Sequence, residues 1–222
     1  MLPASAVEDI YPGSLSNPDN VRILESILSK ISFQSLFPNA NSAYTYENFL
    51  KAIGAFPAVC RTPHLCRRVL AAMFAHFQQE TAGLIYLEEI NRGEYCATWT
   101  PWVIRSFPCT PGESSFIFRS FFCFIFIMNL SKDSEQRSCL GQKYYGRGAK
   151  QLSWNYNYGA FSLAMFGDAS VLLDRPDLVA STWLNLASAL WFLVTPQPPK
   201  PSMLEIISKE WSPNSVDIAG KI

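Results

Sequence analysis

The stretch "YYGRGAKQLSWNYNYG", residues 144–159, sets Gln151, Ser153, Asn155 and Asn157 among Tyr145, Trp154, Tyr156 and Tyr158. Neutral hydrogen-bonding groups between flat rings suit an uncharged, polyhydroxylated, amide-bearing ligand. The polar groups set its direction and the aromatic faces supply apolar contact. The plainer reading is a structural loop whose Asn side chains bond the nearby backbone. Its glycines, tyrosines and asparagines together read as turns with short strands.

A second stretch lies upstream. "FAHFQQETAGLIYLEEI", residues 74–90, carries Glu80, Glu88 and Glu89 among apolar and aromatic neighbours, in a chain with only 16% charged residues. Glu80 falls at the end of a helix expected over 64–80, whose apolar face holds Leu65, Val69, Leu70, Met73, Phe74 and Phe77. Gly83 lets the chain turn back, so Glu80 and Glu89 would face each other across a groove. Cleaving a glycosidic bond needs such a pair, one acid to protonate the leaving oxygen and one carboxylate to activate water or attack the sugar. On spacing alone, two glutamates nine residues apart more often mean a solvated face.

The rest of the chain reads around these two stretches. Its 222 residues suit one domain, or at most two small ones, with a sizeable core. Lys plus Arg and Asp plus Glu number 18 each, which leaves no basic surface for nucleic acid. The 14% aromatic content fits either a sugar-binding surface or a well-filled core. Residues 1–19 read as a loose leader. Helical spacing recurs at 20–32, 46–56 and 179–195, and Ser202 with Glu205 has capping-box spacing that opens one more helix. The prolines of "PQPPKP" end the helix before them. The Phe-rich run 114–130 is too short to span a membrane and is interrupted by Arg119. With no Cys-x-x-Cys pair and only His64 and His76, a zinc site is not expected. "MLPASAVEDIYPGS" has no basic start followed by an apolar run and does not read as a signal peptide.

Five segments together resemble the glycoside hydrolase family 19 chitinases, in their short, loop-reduced form. "AHFQQETAGLIYLEEI" is similar to the family's acid-bearing helix with a second Glu nine residues on. "YYGRGAKQLSWNYNYG" matches the family signature nearly residue for residue. "ALWFLVTPQPPKPSM" and "WSPN" match the two segments that follow, and "FPNANSAYTYENFLKAIGAFP" resembles the family's opening. The resemblance implies a mainly α (α+β), lysozyme-like, two-lobed helical fold with a small irregular β part. It divides the chain into an N-terminal leader and helix, residues 1–31, and a catalytic domain, residues 32–222. It implies endo-acting, inverting hydrolysis of β-1,4-linked N-acetylglucosamine polymers by a monomer. Glu80 would be the general acid, Glu89 the general base, and Ser153 would help hold the attacking water. Gln151, Tyr156, Asn157, Gln197 and Lys200 would contact sugar, and Glu88 matches a position that is not the base. No cofactor, metal or membrane is implied, and an extracellular location is expected from the family alone. Cys96 and Cys109 match a family disulfide, and Cys60 and Cys66 are close enough to pair around "RTPHL".

Departures from the family pattern temper this expectation. Gln79 stands where the family has His. An atypical insert at about 113–143, with Cys123 and Cys139, separates "PCTPG" from the signature, and the chain stops at "DIAGKI" where the family continues. Insert and truncation together predict weak activity. A catalytically impaired chitin-binding protein and a peptidoglycan hydrolase on the same fold are the alternative readings.

Overall fold

The computed structural model describes residues 4–93, 95–96, 107, 143–197 and 199–209. Much of the aromatic content in this part fills the core. Phe33, Phe37, Phe49 and Phe77 are buried, and their rings meet one another and the partly buried Phe74 at centroid separations of 5.2–6.5 Å. Edge-on and stacked contacts at such distances add to the free energy of burial.

The first four helices are α1 (Asp19–Ile27), α2 (Lys30–Leu36), α3 (Tyr46–Ala55) and α4 (Pro63–Thr81); Phe33 lies in α2, Phe37 caps its C-terminus, Phe49 lies in α3, and Phe74 and Phe77 lie in α4. The single helix expected over 20–32 is two helices. Ser29 adopts an extended conformation and its hydroxyl accepts from Ser32 N, so a new N-cap interrupts the apolar period. Thr45 caps α3 in the same way through Asn48 N. Thr62 caps α4 through Leu65 N, with Pro63 in the first turn, where its missing N–H costs nothing. A Cys60–Cys66 disulfide fastens the preceding loop to that turn.

The second group is α5 (Asn155–Phe166), α6 (Ser170–Asp174), α7 (Leu178–Ser181), α8 (Leu184–Val194) and α9 (Met203–Ser208). Helix α8 is apolar nearly all round and almost wholly buried, with α3, α7 and α9 packed against it. Thr182 splits the expected 179–195 helix into α7 and α8. Its hydroxyl donates to Leu178 O and accepts from Leu184 N, closing one helix and opening the next. The Ser202–Glu205 capping box is present in both directions.

Two further expectations are corrected. The turns expected over 155–159 are instead the opening turns of α5. Residues 4–10 are not loose: Ala4–Val7 form a 3-10 turn, and Val7 and Ile10 are buried against the core. Gly54 of α3 makes room for Ile10, whose Cδ1 would collide with any added Cβ there. Among the described residues the β part consists of isolated bridges only, Glu88 with Arg147, Arg147 with Leu152, and Gln197 with Lys200.

Candidate active site

Helix α4 ends at Thr81, and the chain then reverses through Ala82, Gly83 and Leu84, all at positive φ (52°, 76° and 66°). Thr81, fully buried, organises the reversal. Its hydroxyl donates to Phe77 O at 2.7 Å and accepts from Leu84 N at 3.0 Å, while its carbonyl accepts from Ile85 N and Tyr86 N. The reversal delivers residues 87–89 to the turn-rich start of the signature. Gly148 N donates to Leu87 O at 2.9 Å, and Glu89 N donates to Gly146 O at 2.8 Å.

The signature turn is itself held from below. Ala149 N donates to Asn185 O of the buried helix α8 at 2.8 Å, and Gly148 lies so close that a Cβ would sit 2.5 Å from that oxygen. Gly146 is equally constrained on its other face. A Cβ there would lie 2.7 Å from Gln151 Oε1 and 3.2 Å from Ser153 Oγ. Gln151 and Ser153 therefore converge on the residue whose amide meets Glu89.

Both expected acids are bound to this one segment. Glu89 Oε2 accepts from Gly146 N at 3.0 Å, and Glu89 Oε1 accepts from the Tyr95 hydroxyl at 2.6 Å. The hydrogen bond to Glu89, then burial, then the Glu89 charge push the Tyr95 phenol up, so it stays a donor. Glu80 Oε1 accepts from Lys150 Nζ at 2.6 Å, and the same ammonium lies 3.0 Å from His76 Nδ1.

Glu88 points into a different cluster. Its carboxylate is met by Arg92 at 2.7 Å and by Arg147 and Tyr145 at 3.4 Å each. Arg147 is buried, its guanidinium 3.7 Å over the Tyr145 ring, and it also donates to Lys143 O and the Tyr158 hydroxyl. A buried cation needs a charge partner, and Glu88 supplies it.

The aromatic platform sits beside Glu89. Trp154, at φ 74°, stacks on Tyr156 at 6.0 Å and receives Tyr95 edge-on at 5.3 Å. Asn157 Nδ2 donates to Ser153 O, and Ser153 Oγ donates to Gln151 O, so these polar groups also shape the turn. Gln197 and Lys200 are exposed and pair through their backbones. Among the described residues no side-chain hydrogen bond joins either to the acid-bearing segments. Cys96 is disulfide-bonded, while Cys109, "WSPN" and residues 113–142 of the insert lie outside the described residues. No cluster of three metal-ligating side chains occurs among the described residues, and no described helix is long and apolar enough to cross a membrane.

The profile of glycoside hydrolase 19, chitinase class I, matches residues 23–222. The chain belongs to this family. It is 31% identical over 221 residues to an endochitinase of Phaseolus vulgaris, covering 89% of this chain and 56% of the relative. It is 33% identical over 219 residues to inactive chitinase-like protein 1 of Hevea brasiliensis, covering 88% and 58%. The chain thus spans a little over half the length of these relatives. Among solved structures, chitinase C of Streptomyces griseus superposes with a TM-score of 0.58 at 28% identity, covering 86% of this chain and 61% of that one. The class IV chitinase of Zea mays gives 0.51 at 30% identity, covering 76% and 71%. The helical, lysozyme-like family 19 fold is therefore the fold of this chain.

Sequence reasoning missed four side chains that hold the acids or neighbour them. Lys150 and His76 stand beside Glu80, Tyr95 beside Glu89, and Arg147 beneath Glu88. Arg147 and Lys150 are cations inside an otherwise neutral signature, and that contrast was an available signal. His76 stands four residues before Glu80 on the expected helix, a spacing that places both on one face, while Tyr95 carries no such signal.

Proposed function

We propose that the protein hydrolyses β-1,4-linked N-acetylglucosamine chains of chitin with inversion, Glu80 acting as general acid and Glu89 as general base. The observation that carries this reading is the common mount: Glu89 held by Tyr95 and Gly146, Glu80 held by Lys150, with Gln151 and Ser153 alongside. A base needs a fixed carboxylate, and Glu89 has a donor on each oxygen. Ser153 Oγ lies against Gly146, whose amide binds Glu89, and is the hydroxyl assigned to assist an attacking water. Trp154 and Tyr156 offer stacked faces to a sugar ring, and Gln151, Asn157, Gln197 and Lys200 are the polar groups assigned to it. An oligosaccharide bears no charge, which suits a site whose ionic groups are already paired. Secretion into an oxidising compartment fits the Cys60–Cys66 bridge and the bonded Cys96.

A second reading is a chitin-binding protein with little turnover. The similarity to the inactive chitinase-like protein of Hevea brasiliensis favours it, while the presence of both acids favours the enzyme. Incubating the chain and its variants with chitin hexamer separates the two. Glu80→Gln and Glu89→Gln are each expected to lose turnover and keep binding. Glu88→Gln is expected to retain turnover once its stability is matched, and NMR of fresh product should show the α-anomer. If Glu88→Gln alone is inert, the acid assignment is wrong. If the parent chain binds the hexamer without cleaving it, the second reading holds.

A further inference from the structure

Lys150 is explained neither by the aromatic signature nor by the acid pair. Its backbone is part of the turn fixed by Asn185 O and Leu87 O, so its root is rigid. Its side chain, about one-fifth exposed, reaches helix α4 and places Nζ 2.6 Å from Glu80 Oε1 and 3.0 Å from His76 Nδ1. His76 and Glu80 are one helical turn apart, so both face the same way. A lysine on four rotatable bonds holds no fixed geometry unaided. A second acceptor on the same helix face gives it one.

His76 can accept because it stays neutral. Burial first, then the Lys150 charge, hold its pKa below the ordinary histidine value, against the opposing pull of Glu80. The neutral ring then accepts at Nδ1 and carries its proton on Nε2. Lys150 and Glu80 are the charged groups recorded as acting on His76, so the three side chains form one unit.

We propose that Lys150, steadied by His76, is the positioning residue of the proton donor, aiming Glu80 and stabilising the charge it acquires during the reaction. The proposal rests on the reading of Glu80 as general acid. In that step the Glu80 carboxyl proton passes to the glycosidic oxygen. The C–O bond breaks with its electron pair on that oxygen, the attacking water's oxygen bonds the anomeric carbon from the opposite face, and the water gives a proton to Glu89. Glu80 is left as a carboxylate beside the ammonium, and Lys150 keeps all its protons. A fixed cation facing a charge that grows toward the transition state lowers the barrier without tightening ground-state binding.

The test uses the full chain, chitin hexamer, and histidine NMR, which is simple because only His64 and His76 are present. Lys150→Met is expected to lower kcat on the order of 100-fold, the scale of a 1 Å misplacement, with KM within about twofold. Lys150→Arg should recover most of the loss. In Lys150→Met the His76 titration should move upward, since a cause of its depression has gone. Unchanged kcat in Lys150→Met, an unmoved His76 titration, or a loss that Arg does not recover would each overturn the proposal. If the parent chain is inert on the hexamer, the hydrolase reading fails instead, and this proposal falls with it. Equal turnover by parent and Lys150→Met removes this proposal alone.

Discussion

Thr81 is the residue on which the separation of the two acids depends most directly. Ala82 and Leu84 flank Gly83 in the left-handed region, which costs a non-glycine residue about 1–2 kcal/mol. Against that total of roughly 2–4 kcal/mol stands the full burial of Leu84, worth about 1.5–3 kcal/mol. The two hydrogen bonds of the Thr81 hydroxyl add about 0.5–1.5 kcal/mol each. The turn is therefore near balance without the hydroxyl. Thr81→Val keeps the shape and removes both bonds. Phe77 O retains the amides of Ala82 and Gly83, so the loss falls on Leu84 N–H, left buried and unpaired. That should cost about 1–3 kcal/mol, or a fall in Tm of roughly 2–12 °C for a domain of this size. Because the same turn delivers Glu89, turnover of chitin hexamer should fall more than binding. Thr81→Ser, which keeps the hydroxyl, should lose only the buried methyl, about 0.8 kcal/mol, and remain active. Differential scanning calorimetry with hexamer kinetics checks both variants. A Thr81→Val protein with the parent's Tm and kcat would refute the claim that this hydroxyl holds the turn.

Two further outcomes follow from the groups around the acids. Tyr95→Phe removes the donor to Glu89 Oε1 and leaves the ring against Trp154, so kcat on chitin hexamer should fall on the order of tenfold through loss of alignment; an unchanged kcat would mean that Gly146 alone orients Glu89. His76 has a folded pKa below its ordinary value near 6.5, so the unfolded chain binds its proton first. Its contribution to stability is full above that value and is lost as pH falls through the lower folded pKa. Denaturant titrations from pH 8 to 5 should therefore show a steeper acid-side loss in the parent than in His76→Gln, and parallel curves would contradict the assignment.

The sequence carried much of the helical frame, because periodicity and capping are local. The apolar stripe of α4 and the Ser202–Glu205 box needed no tertiary information. What could not be read depended on partners distant in sequence. Helix α5 begins with Asn155, Tyr156 and Asn157, weak helix formers with Gly159 close behind, and forms because Tyr158, Phe161 and Met165 are buried, with α6 packed alongside. The breaks at Ser29 and Thr182 come from single hydroxyls that outcompete a continuing apolar period. The first residues looked loose because the space for Ile10 is made by Gly54, far along the chain.

The candidate site divides in the same way. The types and spacing of Glu80, Glu89, Gln151 and Ser153 were visible; the groups that fix them were not. Glu80 is bound through a lysine seventy residues away, and Glu89 through a backbone amide that has no sequence signature at all. This difference sets how the site responds to change. The amide of Gly146 is fixed wherever the turn goes, so Glu89 follows the backbone. The ammonium of Lys150 is fixed only through a side chain steadied by His76, so Glu80 follows that side chain. Because one turn, anchored on Asn185 of the buried helix α8, carries both attachments, a small tilt of that turn moves Glu89 and Glu80 together and preserves their relation. A change confined to Lys150 or His76 moves Glu80 alone.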